Sequence, residues 1–321
     1  MLTEIVRDHR AWTGAELAPE AWTLAVPREC LDELEQALAT IRAEPLPLYL
    51  RRPEEFELVA CRALMGEVKE RLASGIGFTV LDRLPVERMT QDEATALYWL
   101  LSSLLARPVA QKLDGTMVYL VRDTGAALKP GSGIRPTVTN VELVYHNDNS
   151  YNETPPECVG LLCVSQAKEG GESRVLNFYA AHNLLLRKHG SLLPRLYKPF
   201  WYDRHREFFP GEPETHAAPV FDFDGTRLSA RLAILEIRGG YELRGERLDA
   251  EGEAALEAMQ EVMHRPGLAV GMQLRPGQIQ YVNNRSIGHM RTAFVDGERP
   301  EEKRLLVRLW LRDAGRRGYR G

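Results

Sequence analysis

The stretch Val144-Tyr145-His146-Asn147-Asp148 sets an imidazole and a carboxylate two residues apart, and Gly288-His289 supplies a second imidazole 143 residues later (289 minus 146). Two imidazoles and one carboxylate form the facial triad that holds non-haem Fe(II) while leaving coordination positions open, a centre suited to activating O2. On an extended strand, residues two apart leave the same face, so His146 and Asp148 can reach one ion. Alone, however, this pair fits a surface loop, or a histidine satisfied by its neighbouring aspartate, at least as well as a metal site. The same three residues around an activated water would also suit a zinc hydrolase.

The C-terminal segment adds to the case. Read as a strand, it puts Arg304, Leu306, Arg308 and Trp310 on one face and Leu305, Val307, Leu309 and Leu311 on the other. The fully apolar face must pack against something. The arginines either meet water or line the mouth of a cavity and bind carboxylates, for which the planar guanidinium fork is suited. Between the two ends lies Gly170-Gly171-Glu172-Ser173, which by itself reads as an ordinary hairpin turn. Residues Trp201 to Gly240 hold a mixed aromatic and basic set including Tyr202, Arg204, His205, Arg206, Phe208, Phe209, Arg231 and Arg238. Such an insertion suits a lid over a substrate that carries a carboxylate and some apolar surface, with Tyr202, Phe208, Arg231 and Arg308 as the candidate contacts. Ordinary surface ion pairs are the competing reading. His205 and His216 lack a ligand partner at metal spacing.

These residues need a scaffold, and the pattern supplies one. Apolar residues at spacings of three and four predict helices over Glu29 to Arg42, Glu54 to Ala73 and Gln91 to Leu105, with Pro53 at one start and Thr90 as an N-cap. Phe78 to Leu81 reads as a strand. From Thr137 the texture changes to short strands separated by Gly, Pro and Asn: Asn140 to His146, Val159 to Gln166, Glu172 to Asn177, Pro219 to Phe223, Leu228 to Ile234, Met272 to Leu274, Gln278 to Asn283 and Lys303 to Leu311. Helices are expected over Ala180 to His189 and Asp249 to His264. Many short strands argue for a mainly β fold of the sandwich or jelly-roll type with flanking α-helices.

With 44% hydrophobic and 27% charged residues, the 321-residue chain can bury a large core. A net charge of -4 gives no electrostatic case for nucleic acid, and the basic run Arg312 to Arg320 reads as a solvated tail. No stretch approaches the roughly 18 apolar residues of a spanning helix, which predicts no membrane partner and a cytoplasmic location. A homo-oligomer is left open. Cys30, Cys61, Cys158 and Cys163 show no CxxC pair and read as buried thiols. Cys158 and Cys163 should point to opposite faces of one strand.

From about Gly75 to Asp313 the chain resembles the taurine dioxygenase (TauD/TfdA-type) family of Fe(II)- and 2-oxoglutarate-dependent dioxygenases. The resemblance rests on Gly77-Phe78-Thr79-Val80-Leu81, the His146/Asp148 pair, Gly170-Gly171-Glu172-Ser173, Arg275-Pro276-Gly277-Gln278-Ile279-Gln280, and Asn284 to Trp310 with Gly288-His289 followed by Arg291-Thr292-Ala293-Phe294. It implies a double-stranded β-helix core, with His146, Asp148 and His289 as iron ligands. It further implies that Arg304 and Ser173 (where the family usually has Thr) pair with the distal carboxylate of 2-oxoglutarate, and that Arg308 lies near a cosubstrate or substrate carboxylate. The implied organisation is one catalytic domain over residues 1–321. It has a largely helical part to about residue 110, a core over 111–313 with a lid insertion at about 195–245, and a tail at 314–321.

The implied activity is oxidation of an unactivated C–H bond of a small molecule, coupled to O2-dependent decarboxylation of 2-oxoglutarate to succinate and CO2. Hydroxylation of an amino acid or other carboxylate-bearing metabolite is expected, and desaturation, cyclisation or epoxidation could use the same residues. A non-catalytic jelly-roll binding protein would have no need of an intact triad with its arginine.

Overall fold

The protein is described by a computed structural model covering residues 1–126 and 135–320. It is mainly β, with eight α-helices among the described residues. The larger sheet has the strand order Thr23–Ala25, Phe78–Asp82, Ile279–Asn283, Cys158–Ser165, Leu305–Arg312 and Arg107–Val109, and Tyr119–Val121 also pairs with Leu305–Arg312. The smaller sheet runs Val270–Met272, Ser173–Asn177, Ile287–Arg291 and Leu143–His146, all antiparallel. Segments far apart in the sequence are thus neighbours in both sheets, as the separation of His146 from His289 requires.

Period-two alternation sorts the side chains into layers. Val80, Val159, Cys163, Leu306 and Trp310 of the larger sheet share one buried cluster with Val175, Val270 and Ile287 of the smaller, so the two sheets face each other across it. The opposite residues of the larger sheet, including Leu162, Val307, Leu309 and Leu311, pack against the helices Arg28–Ala43, Val59–Ala73 and Gln91–Leu105. Leu176 and Met290, turned away from the inter-sheet core, pack with the helices Phe178–Lys188 and Ala250–Met263. Cys158 falls in the helix-facing cluster and Cys163 in the inter-sheet cluster, on opposite faces as their odd spacing predicts. All four thiols are buried and free.

Several expected elements shift for physical reasons. The second helix begins at Val59 rather than Glu54, with a separate 3-10 turn at Pro53–Glu55. Its first N–H groups, Ala60 and Cys61, donate to the Glu33 carboxylate at 2.8 and 2.9 Å, a cap contributed by another helix and so invisible locally. Thr90 does cap its helix: its hydroxyl accepts from the Glu93 N–H at 3.2 Å, while Glu93 accepts from the Thr90 N–H at 2.8 Å. Leu228 to Ile234 divides into a short strand, Leu228–Ala230, and the start of the helix Ile234–Leu243.

The Gly170-Gly171 turn does not close a simple hairpin. It carries the chain from the Cys158–Ser165 strand of one sheet to Ser173–Asn177 of the other, with positive φ at both glycines. A Cβ at Gly170 would sit 2.2 Å from the Ala293 oxygen, and one at Gly171 would sit 3.0 Å from the Arg304 Nε, so the close approach demands glycine.

The basic C-terminal run is docked through Arg312 and Tyr319, while residues 313–318 between them are exposed as expected. Arg312 is buried and donates to the carbonyls of Thr154 at 2.6 Å and Tyr319 at 3.0 Å. Tyr319, 4% exposed, stacks on Trp310 and donates to Asn149 Oδ1 at 2.9 Å. Charge counting missed this because guanidinium groups satisfy orphan carbonyls as readily as they face water. No helix among the described residues is long and apolar enough to cross a membrane.

Candidate metal centre and active site

His146 ends its strand, and the antiparallel register pairs it with His289 on the neighbouring strand. The two imidazoles therefore stand side by side, ring centroids 4.4 Å apart. Asp148 follows in a loop whose conformation is fixed by asparagines. Asn284 Oδ1 accepts from the Asp148 N–H at 2.9 Å, and its amide donates to the Asp148 carbonyl at 2.8 Å. Asn147 donates to the Asn284 and Ile287 carbonyls at 2.7 and 3.0 Å and accepts from the Leu232 N–H at 2.9 Å. Asn149 adopts φ 57°, a left-handed turn that asparagine tolerates. Asn283 instead donates to the Leu72 carbonyl at 3.0 Å, away from the centre.

One ligand atom from each of His146, Asp148 and His289 lies within 4.8 Å of the others. The Asp148 Oδ1 is 3.4 Å from His146 Nε2 and 3.7 Å from His289 Nε2. These gaps exceed a good hydrogen bond, so the three groups converge without bonding one another. Three ligands about 2.1 Å from a common ion at right angles would be spaced roughly 3 Å apart, close to what is seen. His146 Nδ1 lies 2.8 Å from the Val144 carbonyl, a contact that places the proton there and leaves the Nε2 lone pair for a metal. The donor set fits a divalent metal ion.

The charge states suit that task. Burial would raise the Asp148 pKa, but the Arg308 guanidinium and both imidazoles outweigh it and hold the carboxyl well below its usual range. Burial, with His146 alongside, lowers the His289 pKa and keeps that ring neutral. Arg308 Nη1 sits 3.2 Å from Asp148 Oδ1 and 3.1 Å from Oδ2, while its Nε donates to Gln111 Oε1 at 2.8 Å. Trp310 Nε1 donates to Asp148 Oδ2 at 2.7 Å.

Two cavities meet at this centre, with His146 and Arg308 lining both. The first, about 450 Å³, is also lined by Ser173, His289, Arg291 and Arg304. Arg304 is 6% exposed; its Nη1 has no partner among the described residues, and burial lowers its pKa to about 10. The Ser173 hydroxyl donates to Gln280 Oε1 at 3.1 Å.

The second cavity, a cleft of about 590 Å³, is lined by the triad loop and by Arg135, Tyr151, His205 and Glu236. Arg135 pairs with Glu207 at 2.5 Å, and His205 Nε2 is 2.9 Å from Glu236 Oε1. His205 and residues 233–236 thus supply part of the cleft wall.

The structure brings His146, Asp148, His289, Arg304, Ser173 and Arg308 together. It does not bring Tyr202, Phe208 or Arg231 to the cleft. Tyr202 is buried in the outer core and donates to the Arg231 carbonyl at 2.7 Å. The Arg231 guanidinium turns to the carbonyls of Asn152 and Glu153 at 2.7 and 3.1 Å, beside His216 in a separate polar cavity. Phe208 lies under Arg204, 5.9 Å from ring centroid to guanidinium carbon, and is not among the cleft's lining residues. Sequence reasoning missed the contact of Trp310 with Asp148, although the strand alternation already put Trp310 beside Arg308. It also missed Arg135 and Glu236, for which no local pattern exists.

A model of the family described as "Taurine catabolism dioxygenase TauD, TfdA family" matches residues 42–310. FR-33289 synthase of Streptomyces rubellomurinus is 28% identical over 316 residues, covering 97% of this chain and 91% of that protein. Among solved structures, asparagine oxygenase in complex with Fe(II), 2S,3S-3-hydroxyasparagine and succinate superposes with a TM-score of 0.66 at 21% identity, covering 90% of this chain and 93% of that one. The non-heme iron oxygenase OrfP in complex with Fe and alpha-ketoglutaric acid gives 0.66 at 12% identity, covering 91% and 94%.

Proposed function

The chain belongs to the taurine catabolism dioxygenase TauD, TfdA family, whose members are non-haem iron oxygenases, and from that premise we propose that it hydroxylates an unactivated C–H bond of a small carboxylate-bearing molecule, most fittingly an amino acid. The observation that carries the reading is the convergence of His146, Asp148 and His289 at the junction of two cavities, one of them holding Arg304 and Ser173. The facing sheets, with both histidines at paired positions of the smaller one, support a double-stranded β-helix core.

His146, Asp148 and His289 would hold Fe(II). When bound, the metal with 2-oxoglutarate and O2 supplies an oxidant strong enough for an unactivated carbon, with 2-oxoglutarate released as succinate and CO2. The protein's own groups do the positioning. Arg304 and Ser173 hold the distal carboxylate of 2-oxoglutarate, a pairing for which a buried guanidinium with an unused N–H is prepared. Arg308 and Trp310 orient Asp148, and the Arg308 guanidinium neutralises its charge.

The cleft is lined by charged groups of both signs, Arg135, Arg308 and Glu236, each held by an ionic partner of its own, and a polar lining of this kind suits a zwitterion. The hydroxyasparagine bound in the related asparagine oxygenase structure agrees with that class. The reading takes residues 1–321 as one catalytic domain, with the part to about residue 110 as its helical elaboration. Residues at about 195–245 act as a lid, since His205 and Glu236 belong to them and line the cleft.

The test is a substrate screen. Protein supplied with Fe(II), 2-oxoglutarate and O2 should form succinate faster with particular amino acids, with one oxygen atom added to the product. A product that forms as well without O2, or with Zn(II) in place of iron, would overturn the proposal.

A further inference from the structure

Arg291 is four-per-cent exposed and lines the same cavity as Arg304 and Ser173. It stands two residues beyond His289 on one strand, so both side chains leave the same face. Across the smaller sheet its register partner is Ser173. Its Nη2 donates to the carbonyls of Thr139 and Val141, but Nε and Nη1 are buried without a partner among the described residues. Arg304 Nη1 is in the same condition. Both guanidinium groups lie over one ring, Phe294, with their carbons 4.7 and 5.3 Å from its centroid.

Two buried cations that share a cavity and a ring repel each other, and unused buried N–H groups cost free energy. Asp296 acts on both guanidinium groups, and Asp123 on Arg291, only through space, and Asp296 Oδ1 accepts from the Arg304 backbone N–H at 2.8 Å. A structural strut needs only the two carbonyl contacts of Nη2. Both arginines line one cavity together with Ser173, and unpartnered N–H groups of two buried cations beside such a cavity call for an anion.

We propose that Arg291 is a second guanidinium for the distal carboxylate of 2-oxoglutarate, so that this carboxylate is held by Arg304, Arg291 and Ser173 together. The inference rests on the cosubstrate reading above and adds a residue to it. Arg291 acts as a positioning and specificity residue: with two cations committed to one carboxylate, a keto acid lacking that group leaves both charges buried and unpaired.

Calorimetric titration of Fe(II)-loaded protein under anaerobic conditions tests this, using 2-oxoglutarate and 2-oxopentanoate, in which a methyl group replaces the distal carboxylate. The wild type should prefer 2-oxoglutarate about 100-fold or more. In Arg291→Met the preference should fall about 10- to 30-fold, with the affinities for 2-oxopentanoate and for Fe(II) kept within about 3-fold. Arg291→Lys should retain most of the preference.

Equal weakening of both keto acids in Arg291→Met would show a strut and overturn the proposal, as would an unchanged preference. A wild type with no preference would overturn the cosubstrate reading as well. Should circular dichroism show Arg291→Met to be unfolded, Arg291→Gln, which keeps an amide NH2 for the Thr139 and Val141 carbonyls, decides by the same comparison.

Discussion

The indole Nε1 of Trp310 donates to Asp148 Oδ2 across 2.7 Å, and the same carboxylate receives Arg308 at 3.1 to 3.2 Å. A buried carboxylate fixed in this way presents its remaining lone pairs to the two imidazoles. Groups that orient a metal ligand typically account for 10- to 100-fold in metal affinity. Trp310→Phe keeps the ring and loses the donor, so its affinity for Fe(II) or Mn(II) should fall by about that factor in calorimetric titration. Unchanged affinity would show that Arg308 and the backbone fix Asp148 unaided.

Arg304→Ala should leave metal binding intact and weaken 2-oxoglutarate by about 30-fold or more, since truncating one partner of a buried charge pair costs roughly 2–5 kcal/mol. Ser173→Ala should cost about 10-fold, in line with a hydrogen bond to a charged group, and Ser173→Thr should bind nearly as well as the wild type. Dissociation constants measured anaerobically with Fe(II) present decide this. Equal loss for metal and cosubstrate would mean that the substitutions disturb the fold.

His182 makes stability depend on pH. It is fully buried, with Nε2 2.8 Å from the Tyr197 hydroxyl, and burial, with the chain's amino terminus adding, lowers its pKa from 6.5 to about 4. The neutral ring is the one that fits. Its contribution is complete above pH 6.5 and is lost as the pH falls toward 4, because the unfolded chain takes up the proton first. That gap corresponds to on the order of 3 kcal/mol at about 1.4 kcal/mol per tenfold change. Urea unfolding between pH 7 and 4.5 should show this slope flattened in His182→Gln; an equally steep slope would assign the acid lability to other groups.

Tyr319 should matter to stability despite standing next to the chain's end. It stacks on Trp310 and holds Asn149 in the loop that carries Asp148. Tyr319→Ala should cost about 3–5 kcal/mol, as for other buried aromatics, and Tyr319→Phe about 1 kcal/mol. Thermal or urea unfolding measures both. A neutral Tyr319→Ala would mean that the C-terminal run is dispensable.

What the sequence made legible follows from which interactions are local or periodic. The face shared by Arg304, Leu306, Arg308 and Trp310 could be read from alternation alone, and the structure puts Leu306 and Trp310 in the inter-sheet core and both arginines on the cavity they line. Strand alternation also predicts the proximity of His146 and Asp148, but the strand ends at His146 and a loop fixed by Asn284 brings Asp148 beside it, whereas His289 needed either the topology or the family resemblance. Contacts made by chain folding left no local trace. Glu33 capping another helix, Arg135 meeting Glu207, and His205 meeting Glu236 are of that kind. Arg231 and Tyr202 drew attention because they are basic and aromatic, yet each spends its polar group on a backbone carbonyl. Side-chain type alone does not distinguish a ligand contact from a buried strut.

The most direct test of the account is spectroscopic: Fe(II) and then 2-oxoglutarate are added anaerobically to the purified apoprotein, and the visible spectrum is followed, with His146→Ala and Arg304→Ala alongside. The account predicts a weak metal-to-ligand charge-transfer band that vanishes in His146→Ala and requires far more cosubstrate in Arg304→Ala. Folded wild-type protein that binds iron and gives no band at saturating 2-oxoglutarate would contradict it.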